Sequence, residues 1–185
     1  MATSFLWVEK MRILLIMLMT FVAFGCTGDD GTREYNVLDE EAEAHLEESY
    51  VSIIIAAEFM ESDMLAEADA ELDRAISEER QAKQKLEAAC EIAEKNPKLE
   101  CYQDIIDEIG FCLIPQAQFL KKQVALFESI NESCDADCIQ QKCDDYLNEA
   151  LVTDQKCSQS PLEFDPETEG MYIAAVEVCN HLLSP

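Results

Sequence analysis

Glycine and proline are scarce, five of each in 185 residues, and aromatic residues make up only 8%. A β-sandwich or barrel draws on Gly and Pro at every turn, so these shortages exclude a turn-rich β fold. Basic residues are the next shortage. Thirteen Lys and Arg stand against 39 Asp and Glu, for a formal net charge of −26. Nucleic-acid affinity comes mainly from Lys and Arg neutralising phosphates, so this balance excludes a nucleic-acid partner. It marks instead a strongly solvated surface, open to a basic partner or to cations. His45 and His181 are the only histidines, and each reads as an ordinary helix residue rather than a ligand or base. No P-loop, dinucleotide fingerprint, serine elbow or CxxCH haem motif occurs, so neither an enzyme nor a cofactor is expected. What is present is an ordinary apolar fraction of 49%, enough to form a core despite the charge.

The amino terminus reads as an address. Lys10 and Arg12 precede Ile13 to Phe24, an apolar run of twelve broken only by Thr20. A basic flank, a short apolar stretch and a small residue are the marks of a secretory signal. The run is shorter than the ~20 residues needed to span a bilayer. Met11 opens a compact version of the same signal and is an alternative start. Ala23-Phe24-Gly25-Cys26 resembles the lipobox of bacterial lipoproteins, with Ala in place of the usual Leu and a bulky Phe24. The resemblance covers the targeting segment alone. It implies cleavage after Gly25, acylation of Cys26 and a membrane anchor. Thr27, where an Asp would retain a lipoprotein at the inner membrane, implies the outer membrane of a bacterial envelope. On this reading residues 1–25 are the signal peptide, 26–37 the acylated Cys and a flexible tether around Gly28-Asp29-Asp30-Gly31-Thr32, and 38–185 an acidic helical domain. Taking away Glu9, Lys10 and Arg12 leaves 38 acidic residues against 11 basic ones, so the mature part is more acidic still.

From Leu38 to about Lys95 there is no Gly or Pro, and Ala, Glu, Leu and Met dominate. Apolar residues recur near a 3.6 spacing, through Leu46, Tyr50, Ile53, Ala57, Met60, Leu72, Ala75 and Leu86. One helix over that span would be about 87 Å long, so a break is expected at Glu61-Ser62-Asp63. Tyr50 to Met60 is apolar nearly all round and should lie deepest. Asn96-Pro97 predicts a boundary with a second helix from Pro97 to about Leu113, and Pro115 a restart to about Ile130. A fourth helix should run from Ser133 to near Val152, with Asp135 and Asp137 in its first turn. Thr153 to Pro161 reads as a polar loop, and Asp165-Pro166-Glu167 opens a last helix to about Leu183. The fold class is all-α, an up-and-down bundle of five or six helices stapled by disulfides.

The cysteines are the chemistry on offer. With Cys26 acylated, eight remain: Cys90, Cys101, Cys112, Cys134, Cys138, Cys143, Cys157 and Cys179. An even number in an oxidising compartment can pair fully, though eight allow 105 connectivities. Cys90 and Cys101 flank Asn96 at similar heights in an antiparallel hairpin, within bridging reach. The same symmetry about Ser133 sets Cys112 near Cys157. The spacing of Cys101 and Cys112 resembles the twin-cysteine hairpins of the CHCH type. That family needs a second pair, and Glu79 stands where its fourth Cys would be, so the chain is not assigned to it. The alternative is a thiol-lined bundle for Cu(I), but the paired CxxC spacing of a zinc site is missing. Cys134-Asp135-Ala136-Asp137-Cys138 has acids but lacks the register of a calcium loop. Asn131-Glu132-Ser133 is a glycosylation sequon only in a eukaryotic host. The reading is a membrane-anchored extracytoplasmic lipoprotein with a non-enzymatic interaction or structural role and no metal.

Overall fold

The structure is a computed structural model that describes residues 31–131, 134–159 and 170–183. The signal peptide, Cys26, the tether up to residue 30 and the Asp165-Pro166-Glu167 helix start lie outside these residues. Every regular element among the described residues is helical: α1 (Thr32–Glu61), α2 (Leu65–Ala93), α3 (Gln103–Glu108), a π-helical stretch (Ile109–Leu113), α4 (Ile114–Asn131), α5 (Ala136–Cys157) and α6 (Gly170–Leu183). None of these helices is long and apolar enough to cross a membrane. The chain folds as an all-α bundle with four disulfides.

Helices α1 and α2 form an antiparallel hairpin with arms of about 45 Å, from 30 and 29 residues at 1.5 Å each. The break falls where the polar Glu61-Ser62-Asp63 predicts it, but no side chain caps the arms. Backbone bonds do so instead: Ser62 N–H donates to the Glu58 carbonyl and Met64 N–H to that of Phe59. Asp63 takes the left-handed conformation, φ 58°, which Asp tolerates better than bulkier residues. Buried positions on α2 run Leu65, Ala68, Leu72, Ala75, Glu79, Ala82, Leu86, Ala89 and Ala93, alternating steps of three and four. Ala42, Leu46, Ser49, Ile53 and Ala56 do the same on α1. That is a heptad seam, with alanines letting the two rods approach closely.

Tyr50–Met60 does not lie deepest. Val51 is 48% exposed, whereas Ala68, Leu72, Ala75 and Ala82 of α2 are wholly buried. The reason is position: α1 packs chiefly on α2, and α2 is covered on its other side by α3 and α4. A helix with one neighbour buries one stripe, whatever its remaining faces are made of.

The tether ends earlier than expected. The helix begins at Thr32, and Tyr35 is 5% exposed, its hydroxyl donating to the Glu100 carbonyl at 2.7 Å. Tyr35→Phe should cost about 1 kcal/mol in urea unfolding, the net value of one such bond plus a stranded carbonyl. Residues 32–37 therefore belong to the domain.

Pro97 starts no helix. Residues 94–102 are a turn, with the Asn96 carboxamide oxygen accepting from Lys98 N–H at 3.2 Å. The helix resumes at Gln103 and passes through Pro115 without restarting. Proline removes an N–H and collides with the carbonyl four residues back. Here the preceding turn is widened, with Ile114 N–H donating to Ile109, five residues back, so the rod continues to Asn131. Helix α5 starts at Ala136 with Asp135 as its cap, the carboxylate accepting from Cys138 N–H at 3.0 Å. It runs to Cys157, so Thr153–Cys157 is helix and not loop. Thr153 is 4% exposed and donates back to the Glu149 carbonyl, satisfying its hydroxyl within the helix. Helix α6 packs on α5, around Cys143, Tyr146, Ala150, Met171, Ala175 and Cys179, with Phe119 of α4 stacked on Tyr146 at 4.8 Å.

Candidate functional site

All eight domain cysteines are paired: Cys90–Cys101, Cys112–Cys157, Cys134–Cys138 and Cys143–Cys179, with Cα separations of 4.4 to 5.6 Å. The bridges tie successive elements together. Cys90–Cys101 joins α2 to the turn that follows it. Cys112–Cys157 joins the π-helical stretch to the end of α5, and Cys143–Cys179 joins α5 to α6. Cys134–Cys138 closes only the start of α5. A Cu(I) site needs thiolates, and these cysteines are spent as disulfides. No group of three His, Cys, Asp or Glu placed to hold a metal occurs among the described residues. Cys26, the ninth cysteine, lies outside them.

Among the described residues, Glu79 and Glu108 are buried carboxyls. Glu79 is 1% exposed and occupies a seam position of the hairpin, where the Ser49 hydroxyl donates to Oε1 at 3.0 Å. Its Oε2 is buried without a hydrogen-bond partner. Burial pushes the carboxyl up to about 7, against the lowering effects of the Ser49 hydroxyl and Arg80. Glu108, also 1% exposed, ends α3 beside the π-helical stretch and is pushed up by burial to about 7. One turn from Ser49, His45 Nδ1 and Glu78 Oε2 share a hydrogen bond of 2.6 Å. Ser49 and Glu79 make a polar layer in a mainly apolar seam. Sliding the arms by one heptad would set Glu79 against Ala42 or Ala56 and remove the hydrogen bond to Oε1 as well, so the layer favours this alignment of the arms.

A cleft of about 260 Å³ opens between α4 and α5. Pro115 and Phe119 supply its apolar wall, and Thr153 and Glu149 face it from α5. Its rim carries Lys121, Lys122 and Lys156, three of the chain's 13 basic residues. Lys121 is held by Asp73 at 2.5 Å and Asp69 at 3.2 Å on α2, and these carboxylates hold its ammonium in the charged form against its partial burial. Lys122 and Lys156 are exposed, and no carboxylate of the described residues lies within 4 Å of either ammonium. The cleft walls are fixed by the Cys112–Cys157 bridge, one residue from Lys156 and three from Pro115. Gln116, buried beside it, donates to Cys112 Sγ at 2.9 Å. Neither Glu79 nor Glu108 lines this cleft, so the buried acids and the cavity occupy different places.

No local sequence pattern announces this cleft. Lys121-Lys122 is the one adjacent pair of basic residues in the chain, which was the available signal. Lys156 falls in the span Thr153 to Pro161 that reads as a loop, so sequence alone does not set it beside them. In the sequence Glu79 stands out only as the position of a missing cysteine, and Glu108 carries no local signal. No protein-family model, no curated protein and no solved structure matches this chain.

Proposed function

We propose that the protein is a membrane-anchored extracytoplasmic lipoprotein of a bacterial envelope, with a non-enzymatic interaction or structural role. The observation that carries this is the cysteine pairing. Eight of nine cysteines close on one another, which fits an oxidising compartment and leaves Cys26 without a partner inside the domain. That residue follows the signal-like segment and the lipobox-like Ala23-Phe24-Gly25. The anchor is the membrane partner, and the acidic surface of the bundle faces water or a protein partner. Several acyl chains on one residue hold a protein at a bilayer, where a single chain does so only marginally.

Metabolic labelling with a clickable fatty acid tests this. Label should enter the wild-type chain and vanish in Cys26→Ser, with the protein moving from the membrane to the soluble fraction. Label that persists in Cys26→Ser, or none in the wild type, overturns the reading.

A further inference from the structure

We infer that the Cys134–Cys138 bridge is a thiol–disulfide exchange site, opened and closed by a dithiol partner while the bundle stays folded. Such a site has two requirements: an attacking thiolate must reach a sulfur, and the fold must survive without the bond. The four bridges differ on both counts. Cys112, Cys143 and Cys179 are buried, and Cys90 is buried among Leu86, Ile106 and Ile109. Cys101 is exposed and Cys157 half-buried, so each offers a sulfur to attack. Attack there must expel Cys90 or Cys112 as a thiolate into apolar surroundings, which raise a thiol's pKa and make it a poor leaving group. Cys134 and Cys138 are the pair of which neither member is buried or in the core.

The same bridge is the one the fold needs least. Cys90–Cys101, Cys143–Cys179 and Cys112–Cys157 span 11, 36 and 45 residues and tie different parts of the chain together. Cys134–Cys138 spans four and stays within the cap and first turn of α5. A fold protects a bridge by the factor by which that bridge stabilises the fold, because the coupling is reciprocal. A short closure constrains the unfolded chain least, so this bridge is protected least. The Asp135 carboxylate accepts from Cys138 N–H without help from the sulfurs, so α5 keeps its cap when the bond opens.

The helix sets the direction of attack. Cys134 precedes the cap, whereas Cys138 lies in the first turn of α5, where the helix dipole favours negative charge. Lys142 stands one turn further along the same face. The partner's thiolate attacks Cys134 Sγ, the sulfur–sulfur bond breaks, and its electron pair leaves on Cys138, which then takes up a proton. The partner's second thiol attacks the mixed disulfide and releases Cys134. Two electrons and two protons pass to the chain, and the partner ends as a disulfide. Asp135 and Asp137 work against the Cys138 thiolate and, with the net charge of −26, repel an anionic attacker such as glutathione. The dithiol is therefore neutral or basic at its reactive face. None of this depends on acylation of Cys26.

The test treats the full oxidised chain, its free thiols first blocked with iodoacetamide, with dithiothreitol in the absence of denaturant. Thiols that appear are trapped with N-ethylmaleimide and located by peptide mass. Cys134 and Cys138 should be labelled together, at least about tenfold faster than any of the other six, with the far-UV circular dichroism unchanged. Labelling of another pair at an equal or faster rate overturns the inference, as does labelling of Cys134 and Cys138 only once the helical signal is lost. Brief exposure to 2-mercaptoethanol followed by N-ethylmaleimide should leave the mixed disulfide on Cys134 and the maleimide on Cys138. The reverse pattern overturns the direction of attack. Glutathione should open the bridge several-fold more slowly than 2-mercaptoethanol at low salt, and equal rates overturn the preference for a neutral or basic partner.

Discussion

Cys112→Ala/Cys157→Ala is expected to lower the unfolding free energy by about 4 kcal/mol, the chain-entropy value for the 45-residue separation this bridge spans. Cys112 is wholly buried, and its bridge is the covalent tie between the long rod of α3–α4 and the end of α5. Loss of the bridge also removes the sulfur that the buried Gln116 amide contacts, leaving a polar group to find water. The effect should exceed that of Cys134→Ala/Cys138→Ala. That pair is four residues apart, and the first turn of α5 already restrains it through the Asp135 cap. The measurement is urea unfolding followed by far-UV circular dichroism for both double variants. Equal midpoints for the two would mean that loop size is not what sets the contribution of these bridges.

A second large effect is expected from pH. Glu79 has its folded pKa raised to about 7 from the ordinary 4.5, so between those values the folded state holds a proton that the unfolded chain has released. Stability therefore falls as pH rises through this window, and above it the folded state carries an uncompensated buried charge. A shift of this size corresponds to roughly 3 kcal/mol. The groups that bear on the carboxyl are the Ser49 hydroxyl of α1 and Arg80 of α2, neither of which offsets the burial. Glu108 adds a contribution of the same sign. So do Asp39 and Glu43, raised first by burial and then by neighbouring acids on α1. The bundle should be more stable at pH 5 than at pH 8, the reverse of proteins whose carboxylates are held ionised by salt bridges. Glu79→Gln isolates the main term. The amide oxygen still accepts from Ser49, so the variant should gain about 1 to 3 kcal/mol at pH 8 and nothing at pH 4.5. A gain that is the same at both pH values would show that ionisation of Glu79 is not the cause.

Much of the architecture was legible along the chain. The absence of Gly and Pro from residue 38 to 95, and the 3.6 spacing of apolar side chains, give two long rods. The polar Glu61-Ser62-Asp63 locates the fold-back between them. Cys90 does meet Cys101, but the turn of residues 94–102 carries Cys101 back to α2 rather than a second helical arm, so the pairing expected from equal heights in a hairpin is reached by another geometry. Legibility ended where a residue type permits two outcomes. Pro115 stops a helix unless the preceding turn widens, and the full burial of Ile109 and Cys112 in that turn favours continuing the rod. Thr153 looks like loop chemistry, yet burial against α4 makes helix the way to satisfy its hydroxyl and backbone together. The cleft combines Lys122 with Lys156, 34 positions further on, through a helix register that no local pattern carries.

The amino-acid order by itself determined the helical class, the break between α1 and α2 and the supply of cysteines. Each depends on local propensity or on counting, which neighbours in space do not alter. Tertiary structure decided which apolar faces are buried, where Pro115 is tolerated, which cysteines meet and which lysines share a cleft. Those outcomes depend on helix-to-helix register, and register is set by the summed packing of many side chains rather than by any one of them.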